Sequence, residues 1–259
     1  MISNFADANK TGDTDNLMCW AAAASNMLWY SGWGSVANEV SRTNFQSEDD
    51  IFNYFKQYFS NERCCIMFGI QWFFTGIYLP DTNRMWYGSE VSTRIAPGGG
   101  GLIPNVSLED KLFWFPADQF YQFYDKIHDS QDKNAMGADA FFTSGNRPFV
   151  HRIDQNDYYH ALTIYDMYHY IDRSGQTSSV NPPYITEATS PNDLRYYNKI
   201  VFVDSDDGEK QLITKNIAWQ NDVHSFWSDY LDSSNNRSAW FFNFTFLKAA
   251  PVVSTGGEE

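Results

Sequence analysis

Apolar residues recur at helical spacing near the start of the chain. Leu17, Trp20, Ala24, Met27, Leu28 and Trp29 can share one inward face. This pattern predicts a helix over 15–30. Asp15 and Asn16 are good N-cap residues, Ala21 to Ala24 are the strongest helix formers, and Gly32 and Gly34 follow the last turn. A polar stretch over 35–49 leads to a second start signal, Ser47-Glu48-Asp49-Asp50, with Ile51, Phe52, Tyr54, Phe55 and Tyr58 behind it. Residues 64–79 are apolar and aromatic and predict a core helix, 80–107 read as loop, and 116–129 predict a third helix on Phe120, Tyr121, Phe123, Tyr124 and Ile127. Residues 130–147 read as its connection to a strand-rich half.

The pattern then changes to that of strands. Residues 147–150 open this half, and 158–168 are rich in β-branched and aromatic residues. A polar run over 172–193 reads as an exposed insertion. Residues 199–206 form an apolar strand ending in carboxylates, and 210–214 and 239–248 supply further strands. Helices first and sheet second predict one α+β domain over 1–250, with 251–259 a disordered tail.

Composition narrows the partners. The formal net charge of −14 argues against nucleic acid or an anionic membrane surface, since both need clustered Lys and Arg. The longest apolar stretch, Ile66 to Ile77, is too short to span a bilayer and is broken by two glycines, so membrane insertion is not expected. Residues 1–14 lack the apolar core of a signal peptide, which leaves open a removed leader or a missing upstream region. Aromatic residues make up 18% of the chain, which favours a thick core and an aromatic-lined groove but specifies no ligand. The three cysteines, Cys19 and the adjacent Cys64 and Cys65, offer no disulfide framework, and no zinc spacing is present. No metal or other cofactor is expected.

Cys19 carries the candidate chemistry. The positive end of a helix favours the thiolate, which is the nucleophilic form of a cysteine, although a buried structural cysteine fits the same pattern. Five histidines compete for the role of base: His128, His151, His160, His169 and His224. His160 opens a strong apolar strand, and Asp204 closes another. If these strands are neighbours, Asp204 can orient His160, and a cysteine, a histidine and an acid then form the set used by thiol proteases. Backbone N–H groups near the helix start would serve the oxyanion. The run Asp204-Ser205-Asp206-Asp207-Gly208 fits an EF-hand poorly, because its glycine falls one place early and Lys215 stands where the bidentate Glu belongs. Ala96-Pro97-Gly98-Gly99-Gly100-Gly101 is no phosphate loop. It is either a surface loop or a wall of a cleft, and in the second case Gly99 and Gly100, with Trp20, are the substrate-contacting candidates.

Three blocks in fixed order resemble the IdeS/Mac family of immunoglobulin-degrading cysteine endopeptidases. The first is Asn9-Lys10-Thr11-Gly12 with Asp15 to Tyr30. The second is His160-Ala161-Leu162-Thr163-Ile164-Tyr165, and the third is Ile200-Val201-Phe202-Val203-Asp204-Ser205-Asp206. The resemblance implies a papain-like fold, a helical part with the nucleophile helix followed by an antiparallel sheet carrying His and Asp. It implies Cys19 as nucleophile, His160 as base, Asp204 as orienter, Lys10 as an electropositive contributor to the oxyanion site and Asp206 as a supporting carboxylate. It also implies a secreted or cell-surface bacterial protease acting on a protein substrate, with host immunoglobulin the narrower form. Trp20 stands where the family has glycine, Lys10 lies one residue nearer the cysteine, and the 172–193 insertion is longer than the family's. Two other classes use the same residues: a binding module without turnover, and an acyl transferase or amidase.

Overall fold

A computed structural model describes residues 5–12, 14–77, 97–128, 133–144, 158–169, 197–206, 208–221, 224–231 and 237–251. The strand expected at 147–150, the polar run over 172–193 and the tail beyond 251 lie outside these residues.

Four helices come first: α1 (Cys19–Tyr30), α2 (Trp33–Ser41), α3 (Glu48–Tyr58) and α4 (Ile66–Thr75). The start signal at Ser47 is used, its hydroxyl accepting the Asp50 N–H at the first turn of α3. The stretch read as polar over 35–49 contains α2, which buries only Trp33, Gly34 and Ala37 and so shows little apolar periodicity. The third predicted helix, 116–129, begins later, as α5 (Tyr121–His128), and is preceded by a 3₁₀ turn (Ala117–Gln119) and by β1 (Leu112–Pro116). Pro116 ends the strand there. Six further strands follow: β2 (Ala135–Ser144), β3 (Tyr158–His169), β4 (Tyr197–Val203), β5 (Ile213–Gln220), β6 (Ser225–Leu231) and β7 (Arg237–Leu247).

These strands correct the expected papain-like fold. They do not form a sheet set beside a helical part: β7, β2, β3, β4, β5 and β6 pair in that order, and β6 returns to β7, closing a six-stranded antiparallel barrel. The length of β7 makes closure feasible. Its eleven residues run along β2 on one edge. On the other edge Ser238, Trp240 and Phe241 meet β6, and Asn243 to Leu247 meet β1. A register shift opposite Asp139 and Ala140 bends β7 between these two partners. Closure leaves no unpaired edge in the ring.

Alternate residues of the strands fill the barrel: Met136, Ala138 and Phe142 from β2, Leu162 and Ile164 from β3, Phe202, Phe226 and Phe241 from the others. The opposite face of β2 and β3 carries small residues and receives α1. A Cβ on Gly137 would lie 2.6 Å from Ile66 Cδ1 and 2.9 Å from Met27 Sδ, so the bare backbone lets the helices approach. The alanines of α1 allow close packing on the strands on one side and on α3 and α4 on the other. No helix among the described residues is long and apolar enough to cross a membrane.

Candidate active site

The turn before α1 is held from several sides. Asp15 does not cap the helix as its sequence position suggests. Its carboxylate accepts from Thr11 N–H (3.0 Å), Thr11 Oγ1 (3.0 Å) and Gly12 N–H (2.9 Å), and pairs with Lys56 (2.8 Å). Burial raises its pKa, but the ammonium of Lys56 and these donors outweigh that effect and hold it at about 2. Leu17 N–H donates to Asn61 Oδ1 (2.7 Å), and Lys10 Nζ donates to Asn16 O (2.7 Å). Met18 is the residue that precedes the helix, and Cys19 is its first helical residue. Met18 O accepts from Ala21 and Ala22, so among the described residues no acceptor meets the Cys19 or Trp20 N–H.

One end of the barrel completes the site. The end of β2, the start of β3, the end of β4 and the end of β6 all lie there, as antiparallel pairing requires. His160 Nε2 lies 2.7 Å from Asp204 Oδ1, and the Cys19 thiol is close enough to the imidazole to favour its protonated form. Asp204 Oδ1 also accepts the Asp206 N–H (2.9 Å), while Oδ2 accepts the Tyr230 hydroxyl. Cys19, His160 and Asp204 are 4%, 3% and 4% exposed. Phe142 stands edge-on to the imidazole at 5.8 Å and to Tyr230 at 5.7 Å, enclosing the pair in aromatic carbon.

The electrostatics follow from these contacts. Burial opposes the imidazolium, but the Asp204 carboxylate and then Cys19 favour it more, and His160 titrates well above the ordinary histidine range. Burial likewise opposes the Asp204 carboxylate, but His160, Tyr230 and the Asp206 N–H bring its pKa to about 2. With Nε2 committed to Asp204, Nδ1 is the nitrogen left to take the thiol proton. The arrangement can deprotonate a thiol, hold the resulting imidazolium beside a fixed carboxylate and return the proton to a leaving group.

Lys10 and Asp206 lie beside this group. Lys10 Nζ pairs with Asp206 Oδ1 and with Asn16 O, and Lys10 N–H donates to Ser205 O (3.0 Å). The ammonium is thereby committed to tying the turn before Cys19 to the turn after Asp204. Asp206 Oδ2 lies 3.7 Å from His160 Nδ1, and its side chain is 44% exposed. Trp20 is fully buried against Phe55, Phe59 and Gly69, with its indole N–H on Glu62 O (2.8 Å), and presents no surface to a substrate. Gly99 and Gly100 pack under α3 and α4: a Cβ on either would strike Tyr58 or Trp72 within 2.4 Å. Gly99 O accepts the Tyr54 hydroxyl (2.6 Å). Close packing explains both glycines.

Of the other histidines, His224 is near Asp118 (3.8 Å) at the surface, and His151 lies outside the described residues. Among the described residues, the one group compact enough for a metal is His160, Asp204 and Asp206. Its carboxylates already serve His160, Tyr230 and Lys10. All three cysteines are free thiols.

Two contributors are not evident from sequence alone. Tyr230 sits on β6, where Phe226 and Tyr230, four residues apart on one face of the strand, are the available signal. Asn26 faces β3 from α1: its Oδ1 accepts the Ala8 N–H (2.7 Å) and its Nδ2 donates to Thr163 Oγ1 (3.1 Å), three residues from His160. A polar residue on the buried face of an alanine helix is the cue.

No protein-family model matches the chain, and no curated protein matches it in sequence.

Proposed function

We propose that the protein is a cysteine endopeptidase that hydrolyses a peptide bond of a protein substrate. One observation supports this most directly: Cys19, the first residue of α1, lies beside a buried histidine whose Nε2 is fixed by a buried carboxylate. In this reading the Cys19 proton resides on Nδ1 of His160, whose imidazolium Asp204 stabilises, and the sulfur attacks the scissile carbonyl as a thiolate. The developing oxyanion meets the N–H groups of the first helical turn. The imidazolium gives its proton to the leaving amine, a thioester remains on Cys19, and water, deprotonated by His160, releases the acid. Asp204 stays ionised throughout and stabilises the imidazolium. The three blocks shared with the IdeS/Mac family support a secreted or surface-exposed enzyme, and host immunoglobulin is its proposed substrate.

Incubating wild type and Cys19→Ala with a panel of immunoglobulins and unrelated proteins, read by intact mass, tests this. The expected result is one discrete cleavage, with two products summing to substrate plus water, lost in Cys19→Ala. Cleavage that survives in Cys19→Ala overturns the nucleophile. Ammonia release or a new cross-link instead of added water overturns hydrolysis in favour of acyl transfer. Cleavage of other proteins alone overturns the immunoglobulin substrate.

A further inference from the structure

At the far end of α1 from Cys19 lies an open cavity of about 940 Å³. Ser31 and Gly32 bound it where α1 ends, and Phe113 of β1 and Phe246 of β7 contribute its aromatic surface. Lys111, Lys126, Lys133 and Lys248 also line it, four of the nine lysines in a chain of net charge −14. Elsewhere Lys10, Lys56 and Lys210 each pair with a carboxylate, while Lys199 and Lys215 form no ion pair among the described residues. In the cavity only Lys111 pairs with a carboxylate, that of Asp110, and the ammonium of Lys126 stands 5.0 Å over the Phe123 ring. Lys126, Lys133 and Lys248 form no ion pair among the described residues. Among the described residues, four ammonium groups face two carboxylates here, Glu39 and Asp110, so the lining of this concavity is net positive in an acidic protein and favours an anion.

We propose that this cavity binds a short, extended, carboxylate-rich peptide segment, and that it serves as a docking site for the protein substrate. The docking role rests on the endopeptidase reading; the acidic-peptide specificity does not. The lining chemistry favours a peptide over a phosphate polymer. Phe113 and Phe246 offer contact area to aliphatic stems of Glu side chains, and Glu39 and Asp110 at the wall can accept peptide N–H groups. A long uniform polyanion leaving the cavity would meet the acidic remainder of the surface, whereas a short acidic run would not. The twelve residues of α1 span roughly 18 Å, so a segment reaching from this cavity to Cys19 needs more than about five extended residues. The substrate class is therefore a long or folded polypeptide that carries an acidic run away from its scissile bond.

Fluorescein-labelled octaglutamate provides the test, with binding to the Cys19→Ala protein followed by anisotropy at low and at raised salt. Binding is expected to weaken with salt and to fall at least tenfold in the double variant Lys126→Glu, Lys248→Glu, whose side chains are exposed and leave the fold intact by circular dichroism. An octalysine probe is expected not to bind. Lack of octaglutamate binding, or equal binding to the double variant, overturns the site. Binding of a sulfated polysaccharide that octaglutamate cannot displace overturns the peptide assignment. Because these measurements use a protein without its nucleophile, they stand or fall apart from the proteolytic reading. A substrate found by the digest is then expected to be cut more slowly by the double variant in the active background, while a short peptide spanning the same bond is cut at the wild-type rate. Equal slowing of both, or of neither, overturns the docking role.

Discussion

At the scale of single residues, Asp204 is the centre of the site, because its two oxygens serve three donors. His160 and the Asp206 N–H share Oδ1, and Tyr230 holds Oδ2. A buried carboxylate with its pKa near 2 stabilises the fold above the ordinary aspartate range, and this contribution is lost as pH falls from about 4 to about 2. Tyr230→Phe removes one donor and keeps the ring. The folded pKa of Asp204 then moves up toward its ordinary value. The variant is expected to lose about 1.5–3 kcal/mol at neutral pH, the range for a hydrogen bond to a charged group. Its acid unfolding is expected to begin at higher pH than in wild type. Turnover is expected to fall roughly tenfold through a less firmly oriented imidazole. Urea titrations at pH 3 and pH 7 with a cleavage assay check this. Unchanged acid unfolding and turnover would show that the hydroxyl plays no part in positioning Asp204.

At the scale of elements, the site depends on how α1 lies on β3, and Asn26 makes that contact specific. Its amide bridges the Ala8 N–H and Thr163 Oγ1 in a buried setting. Asn26→Ala leaves the Ala8 N–H without its acceptor and frees α1 to slide along β3. The expected cost is about 2–3 kcal/mol, the upper range for orphaning a buried donor. Turnover is expected to fall by lower kcat more than by higher KM, since Cys19 and His160 are misaligned rather than occluded. A variant with wild-type stability and kcat would remove Asn26 from this role. The same interface explains how far the sequence is legible. The helix at Cys19, the core helix over 64–79 and the strands carrying His160 and Asp204 are legible, because their patterns follow from their own burial. Strand β2 is not. Ala135, Gly137, Ala138, Asp139 and Ala140 lack strand propensity because helices press on one face and the barrel interior crowds the other. Strand β6 and the second half of β5 are short runs without regular alternation and give no strand signal of their own. Barrel closure is illegible for a different reason. It depends on β7 exchanging β6 for β1 along one edge, which is a long-range pairing choice that no local period records.

At the scale of the whole molecule, the barrel and the helical layer meet around a second buried carboxylate, Asp139. It lies on the helix-facing side of β2 and accepts the Tyr159 hydroxyl from β3, with Trp114 of β1 and the Cys65 thiol at the start of α4 close by. Burial raises its pKa from 3.8 to about 7, against the lowering effect of Tyr159 and Trp114. The same burial, with Asp139 nearby, pushes the Cys65 thiol well above its ordinary range, so Asp139 is the titrating group at neutral pH. The folded protein therefore holds a proton that the unfolded chain releases. The stability this provides is fully present below about pH 4 and is lost as pH rises to about 7. Asp139→Asn keeps an acceptor for Tyr159 and abolishes the titration. Near pH 4 the variant and wild type are expected to unfold at the same urea concentration. At pH 8 the variant is expected to be more stable by about 2–4 kcal/mol, since each tenfold difference in proton affinity between the folded and unfolded chain corresponds to about 1.4 kcal/mol. Parallel pH curves for the two proteins would mean that Asp139 is ionised in the fold and neutralised by a partner. Asp139 and Asp204 lie on opposite faces of the barrel wall, and their pKa values move in opposite directions. One therefore limits stability on the alkaline side and the other on the acid side, and stability from this pair is expected to peak near pH 4, falling below it as Asp204 takes up a proton and above it as the unfolded chain releases the proton that Asp139 keeps in the fold.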